Sequence, residues 1–191
     1  EKIFKNSFKN LKILDIGCGG GILCEPLSRL GAKVVGIDSN YKAIQVAKKH
    51  AKQKNLQINY QNIDINELTL KNFDLITCME VLEHVDDINY IISKSKKILK
   101  KDGFFIGSTI NKTLKSYLLA IFFAESLLKI VPKGTHDWNK LIKPNHLKKL
   151  FLQNNFSQFD VKGVMYNPFN NLWNYSKKED VNYLFYARNF I

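Results

Sequence analysis

The run Asp15-Ile16-Gly17-Cys18-Gly19-Gly20-Gly21 closes an apolar, strand-like segment and opens a helical one, and this junction constrains the fold most. Glycines let the backbone turn tightly there and let a ligand approach it closely. The apolar stretch before it, Leu11–Ile16, reads as a buried strand, and Ile22–Leu30 after it as a helix stopped at Gly31. The alternation then repeats. Lys33–Asp38 is expected as a strand, and Lys42–Lys54 as a helix with apolar spacing at Ala43, Ile44, Val46, Ala47 and Ala51. Gln57–Asn62 and Phe73–Met79 read as strands three and four, Ile88–Leu99 as a helix, and Gly103–Thr109 as strand five. Strands alternating with helices of this length imply an α/β fold with a doubly wound, mostly parallel sheet. Ser157–Tyr166 and Asp180–Arg188 have nothing helical between them, so an antiparallel edge is expected. Residues 111–143 break the alternation and read as a helical insertion after strand five. No linker-like tract interrupts the chain, so 1–191 is expected to form a single domain.

At 191 residues and 45% hydrophobic, the chain can bury one core. Its formal charge of +12 has two readings: an anionic partner, or the Lys- and Asn-rich composition that an AT-rich genome favours. No basic stretch interleaved with aromatics is present, which argues against nucleic acid as the partner. The three cysteines, Cys18, Cys24 and Cys78, fit no CxxC spacing and read as reduced thiols. With no signal peptide and no apolar run of about 18 residues, a cytoplasmic location is expected. No GxSxG arrangement occurs, so acyl chemistry on a serine is not expected.

Asp38 ends strand two about 20 residues after the glycines, where an acid can accept both hydroxyls of a ribose. This pairing suits either a nicotinamide dinucleotide or S-adenosylmethionine. The dinucleotide fingerprint asks for a third glycine where this chain has Ile22, and S-adenosylmethionine has no pyrophosphate to require it. Asp64, after strand three, is a candidate for the adenine amine. Glu80, Glu83 and His84 stand at i, i+3 and i+4, which on a helix share one face. Two roles remain open there: holding Mg²⁺, Mn²⁺ or Zn²⁺, or His84 acting as general base toward a phenol. Among the other histidines, His50 reads as a helix-surface residue and His146 as a first-turn residue after Pro144. His136 beside Asp137 is a further pocket candidate.

The sequence DIGCGGG resembles the first motif of class I methyltransferases, which implies that Asp15 faces the amino-acid end of the cofactor. The whole chain closely resembles the O-methyltransferases of ubiquinone biosynthesis. The resemblance rests on LDIGCGGGIL (Leu14–Leu23), DLITCMEVLEHV (Asp74–Val85), VPKGTHDW (Val131–Trp138), IKP (Ile142–Pro144), MYNP (Met165–Pro168) and DVNY (Asp180–Tyr183). It implies the class I methyltransferase fold and methyl transfer from S-adenosylmethionine to a phenolic oxygen of a polyprenylated ring. Two steps are implied, one on a polyprenyl hydroxyphenol and one on demethylubiquinol. The family's cofactor positions fall on Gly17, Asp38 and Met79, with Gly19 in the same loop. The magnesium site of its eukaryotic members falls on Glu80, Glu83 and His84, and Glu80 and His84 are the expected catalytic pair. Other ubiquinone-pathway enzymes are implied as partners. Family members carry roughly forty to fifty residues before strand one, including pocket-covering helices, whereas Glu1 here lies ten residues before it. Alternative readings are a methyltransferase for another phenol or small acid, an RNA methyltransferase, and an inactive lipid-binding relative.

A polyprenyl tail raises the question of how the enzyme meets its substrate. As a helix, Leu114–Val131 places Tyr117, Ala120, Ile121, Ala124, Leu127, Leu128 and Val131 on one face. Lys115 and Lys129 share the other with Leu118, Leu119 and Phe122. Apolar groups among lysines suit an anionic membrane surface, so this segment is expected to lie on the inner face of the membrane without spanning it.

Overall fold

The computed structural model describes residues 7–113, 116, 138–167 and 172–190. Its elements run β1 (Lys12–Ile16), α1 (Cys24–Arg29), β2 (Lys33–Ile37), α2 (Tyr41–Gln53), β3 (Asn59–Gln61), β4 (Phe73–Met79), α3 (Ile88–Ile98) and β5 (Leu99–Ile110). Then follow α4 (Pro144–Gln153), β6 (Gln158–Asn167), β7 (Leu172–Ser176) and β8 (Asn182–Arg188). The strands form one sheet in the order β3-β2-β1-β4-β5-β8-β6-β7. Strands β1 to β5 pair in parallel, and β8, β6 and β7 add an antiparallel edge. This is the doubly wound sheet expected from the alternation.

Apolar residues on successive positions of the central strands feed two cores. Ile13 and Leu75 face α1 and α2 with Cys24, Leu27, Ile44 and Ala47. Leu14 and Ile76 face the opposite layer with Ile92 of α3 and Phe151 of α4. Buried parallel strands need apolar side chains on both faces, hence continuous runs such as FDLITCM in place of a polar alternation. Local signals set the helix starts. The Asn40 side chain accepts the Ala43 N–H before α2, Asp87 accepts the Tyr90 N–H before α3, and Pro144 opens α4.

Two elements depart from expectation. Strand β5 begins at Leu99, straight out of α3, because the Asn189 side-chain amide donates to the carbonyls of Leu99 and Lys100 (3.3 and 2.9 Å) and fastens an irregular start. Strand β7 was not expected: its residues gain no buried face of their own and are held by pairing with β6. Of the insertion, Asn111 to Thr113 turn back onto the loop before β8. The Asn111 N–H donates to Val181 O (2.7 Å), and the Thr113 hydroxyl donates to Asp180 O. The segment Leu114–Val131, and His136 with Asp137, lie outside the described residues, apart from Ser116, whose hydroxyl donates to the Asn111 carbonyl. Among the described residues no helix is long and apolar enough to cross a membrane.

Phe151 links α4 to the sheet, its ring centroid 5.0–5.5 Å from those of Phe156, Phe105, Phe159 and Phe185. It is fully buried. Phe151→Ala should therefore cost about 3–5 kcal/mol of unfolding free energy in urea titrations, and Phe151→Leu markedly less. A loss under about 1 kcal/mol for the alanine variant would show that α4 is not anchored by this ring.

Candidate active site

Parallel pairing aligns the carboxyl ends of β1, β2 and β4: Ile16 stands beside Ile37 on one side and Cys78 on the other. The loops that follow therefore meet at one edge of the sheet, where doubly wound folds bind ligands. In the glycine loop Gly17, Gly19 and Gly21 take φ of +68°, +51° and +85°. A Cβ on Gly17 would lie 2.4 Å from Val81 Cγ2, and one on Gly21 would lie 2.2 Å from the Tyr60 hydroxyl. These two glycines let the loop close onto the segment after β4 and onto β3. A Cβ on Gly19 would meet nothing within 4 Å. That side of the loop is open.

Asp38 ties the loop to β2. Its Oδ2 accepts the Gly19 N–H (2.8 Å) and its Oδ1 the Asn40 N–H (2.7 Å). Each carboxylate oxygen keeps a further lone pair, and the residue is half-buried, so the acid retains acceptors for a pair of hydroxyls. The Asn62 side-chain amide donates to the Asp38 carbonyl (2.8 Å) and steadies it from β3. Asn62 was not singled out from the sequence; an amide one residue past β3 was the available signal.

Asp15 corrects an expectation. It points into the interior, only 3% exposed, where Oδ1 accepts the Thr77 hydroxyl (2.6 Å) and Oδ2 the Cys24 thiol (3.2 Å). Strand alternation is the cause: the same face of β1 that sends Ile13 under α1 and α2 sends Asp15 there. Burial pushes its pKa up to about 6, with the Thr77 and Cys24 hydrogen bonds opposing and the nearby Asp38 charge adding. Asp64 is exposed, and its hydrogen bonds are local, Oδ1 accepting from Asn66 N–H and its own N–H donating to Glu67. It caps the turn after β3. All three cysteines are free and buried.

The segment after β4 is a second correction. Met79 ends the strand half-buried, paired with Ser108. Glu80 takes a left-handed φ of +54°, and only a three-residue 3₁₀ turn, Leu82–His84, follows. The i, i+3, i+4 face needs an α-helix, and Glu80 stands outside the turn. Glu80 is exposed and accepts the Ser108 hydroxyl (2.5 Å). Glu83 is 3% exposed and accepts the Thr109 hydroxyl (2.8 Å). Burial raises its pKa above the usual range, against hydrogen bonds from its own backbone, Thr109 and Glu80. His84 is exposed. Glu80 and Glu83 thus draw together. Among the described residues no group of three His, Cys, Asp or Glu is gathered to hold a metal ion. The three side chains as placed do not fit the expected cation site.

A cavity of about 800 Å³ lies at the opposite, amino-terminal end of the strands, lined by Lys12, Lys33 and Asn59 among others. It touches none of the residues above.

Residues 7–185 match the family described as a methyltransferase domain. The ubiquinone biosynthesis O-methyltransferase of Bartonella quintana is 51% identical over 183 residues, covering 95% of this chain and 74% of that protein. Its namesake from Pelagibacter ubique is 49% identical over 177 residues, covering 92% and 74%. Among solved structures, the magnesium protoporphyrin IX methyltransferase of Synechocystis with bound SAH superposes with a TM-score of 0.72 at 23% identity, over 96% of this chain and 76% of that one. A SAM-dependent methyltransferase of Methanosarcina mazei gives 0.71 at 20% identity, over 96% and 94%. The two structural likenesses show a shared fold.

Asp15 makes stability depend on pH. Between the ordinary value of 3.8 and about 6, the folded protein keeps a proton that the unfolded chain releases. Stability contributed by this group should therefore fall as pH rises through that window, by roughly 3 kcal/mol in all. Urea unfolding at pH 4 and pH 7 should show a flatter dependence in Asp15→Asn than in the parent. Parallel dependences would remove Asp15 as the source.

Proposed function

Because the chain belongs to the ubiquinone biosynthesis O-methyltransferase family and is an S-adenosylmethionine-dependent methyltransferase, we propose that it methylates phenolic hydroxyls of polyprenylated ubiquinone precursors. Both O-methylation steps are included, the last converting demethylubiquinol to ubiquinol. The observation that carries the reading is the bridge from the Gly19 N–H to the Asp38 carboxylate, next to the open side of Gly19. It sets bare backbone and a ribose-binding acid on one wall, and Gly17 brings the post-β4 segment against it through Val81.

When bound, S-adenosylmethionine supplies an electrophilic methyl on its sulfonium. The chain's own residues do the rest. Asp38 holds the ribose hydroxyls, the backbone at Gly17 and Gly19 admits the cofactor closely, and Met79 borders it at the end of β4. Asp15 acts from beneath, tying β1 to Thr77 of β4 and to Cys24 of α1. Glu80 and His84, both exposed on the post-β4 segment, are the groups proposed to take the phenol proton. The Ser108 hydroxyl holds the Glu80 carboxylate in place. Holding the phenol oxygen in line with the methyl is the enzyme's main contribution. A tail-bearing substrate also places the protein at a membrane surface, with Leu114–Val131 the proposed contact.

Labelled methyl should pass to a short-tailed demethylubiquinol. Asp38→Ala should weaken S-adenosylhomocysteine binding by about 1.5–3 kcal/mol, roughly 10- to 150-fold by calorimetry. His84→Ala or Glu80→Gln should slow turnover and leave that affinity unchanged. Unaltered affinity in Asp38→Ala, or tighter binding of NAD than of S-adenosylhomocysteine, overturns the cofactor placement. No transfer to the quinol overturns the substrate.

A further inference from the structure

Past β8 the sheet continues into the β6–β7 hairpin, whose inner part is packed and whose outer part is not. Phe159 and Val161 of β6 pack into the core beneath α4, Phe159 at 5.4 Å from Phe151. Further along, the register sets Tyr166 opposite Trp173 and Val164 opposite Tyr175. These residues share one face with Lys162, because side chains alternate along a strand. The Tyr166 and Trp173 rings lie 5.5 Å apart, and Lys162 Nζ stands 5.7 Å from the Tyr175 ring. Trp173 is 61% exposed and Tyr175 74%. The other face of the same hairpin carries Met165 and Leu172, also exposed, and Lys177 and Lys178 follow in the exposed turn.

Exposed aromatic rings with lysines on the same hairpin are costly in water and suited to a headgroup layer, where the rings enter the acyl boundary and the ammonium groups meet phosphates. The charge favours this occupant: the chain carries +12, Lys162 stands by the Tyr175 ring, and Lys177 and Lys178 follow directly after β7 in an exposed turn. Position favours it too. Asn182 of β8 pairs with Ile110 at the carboxyl end of β5 and with Val164 of β6, so the hairpin tip stands at the same end of the sheet as the active site. We propose that the β6–β7 hairpin docks on an anionic lipid bilayer, Trp173 and Tyr175 inserting while Lys162, Lys177 and Lys178 hold the headgroups. This surface is separate from Leu114–Val131. It rests on the proposed substrate class only in giving the docked bilayer a tail to deliver.

The chain has two tryptophans, so Trp138→Phe leaves Trp173 as the single indole. With phosphatidylglycerol-containing vesicles bearing brominated acyl chains, Trp173 emission should shift to the blue and be quenched. With pure phosphatidylcholine vesicles it should not, and added salt should reduce the effect. With Trp138 left in place, Tyr175→Ser with Trp173→Ser should lower vesicle affinity at least tenfold. Lys162→Glu with Lys177→Glu and Lys178→Glu should do the same, and thermal unfolding should confirm that both variants fold. Turnover of a water-soluble, short-tailed quinol should be unchanged in both. Vesicle binding with Trp173 unquenched overturns the proposal and puts the contact elsewhere. A blue shift that needs no lipid and tracks a concentration-dependent dimer overturns it in favour of a second copy on this edge. Failure of methyl transfer in the parent is a separate outcome, which counts against the substrate and leaves the quenching result standing.

Discussion

Strand β1 is hydrogen-bonded along both edges, in parallel with β2 and with β4, and the ligand end of the molecule depends on where those three strands stop together. Because Ile16 is flanked by Ile37 and Cys78, the chain leaving β1 has no room to wander. Gly17 and Cys18 both donate to the Ile37 carbonyl, at 2.9 and 3.0 Å, and the loop is bent back over β2 at once. Left-handed glycines are what make that bend available at low cost. The Asp38 carboxylate then finds the Gly19 amide within reach, and Val81 fills the space where a Gly17 side chain would have stood. The glycine loop and the segment after β4 are therefore one packed unit.

Two buried acids support that unit from below. Asp15 accepts a hydroxyl from β4 and a thiol from α1, and Glu83 accepts a hydroxyl from β5 at one of its two oxygens. A buried carboxyl is tolerated only when it is hydrogen-bonded, and it then specifies which strands must meet. Tyr183 belongs to the same layer: buried, it donates to the Ile142 carbonyl (2.9 Å), and burial with the nearby Glu83 and Glu80 charges pushes its pKa upward. The antiparallel edge is thereby linked to the segment that leads into α4. Movement of one of these strands would unsatisfy polar atoms on two others.

The outer hairpin follows a different rule. Gly163 is needed because a Cβ there would lie 2.1 Å from the Lys178 carbonyl, so the turn after β7 crosses directly over β6. That crossing holds the outer part of the hairpin, residues 164–167 and 172–176, where no side chain is buried. Its rings stay outward, and its stability comes from backbone pairing to β6. Such a surface can change partners without disturbing the core.

The sequence by itself determined the layer order, the helix starts, the glycine loop and the Asp38 position. Each of these is local: an apolar period, a capping side chain, or a backbone turn that only glycine takes readily. The family resemblance was legible for the same reason, since runs such as DIGCGGG and MEVLEHV are contiguous. Tertiary structure decided which way a side chain turned and what met it. Asp15 belongs to the most recognisable run in the chain, yet the alternation of β1 and the arrival of Thr77 and Cys24 made it an interior acid. Glu80, Glu83 and His84 have helical spacing, yet a left-handed Glu80 and a single 3₁₀ turn replace the helix, burying Glu83 and leaving His84 exposed. Strand β7 has no buried face to leave a pattern, and it exists because β6 offers it an edge. Spacing along a chain gives directions only once the backbone conformation is known, and that conformation is set by contacts between residues far apart in sequence.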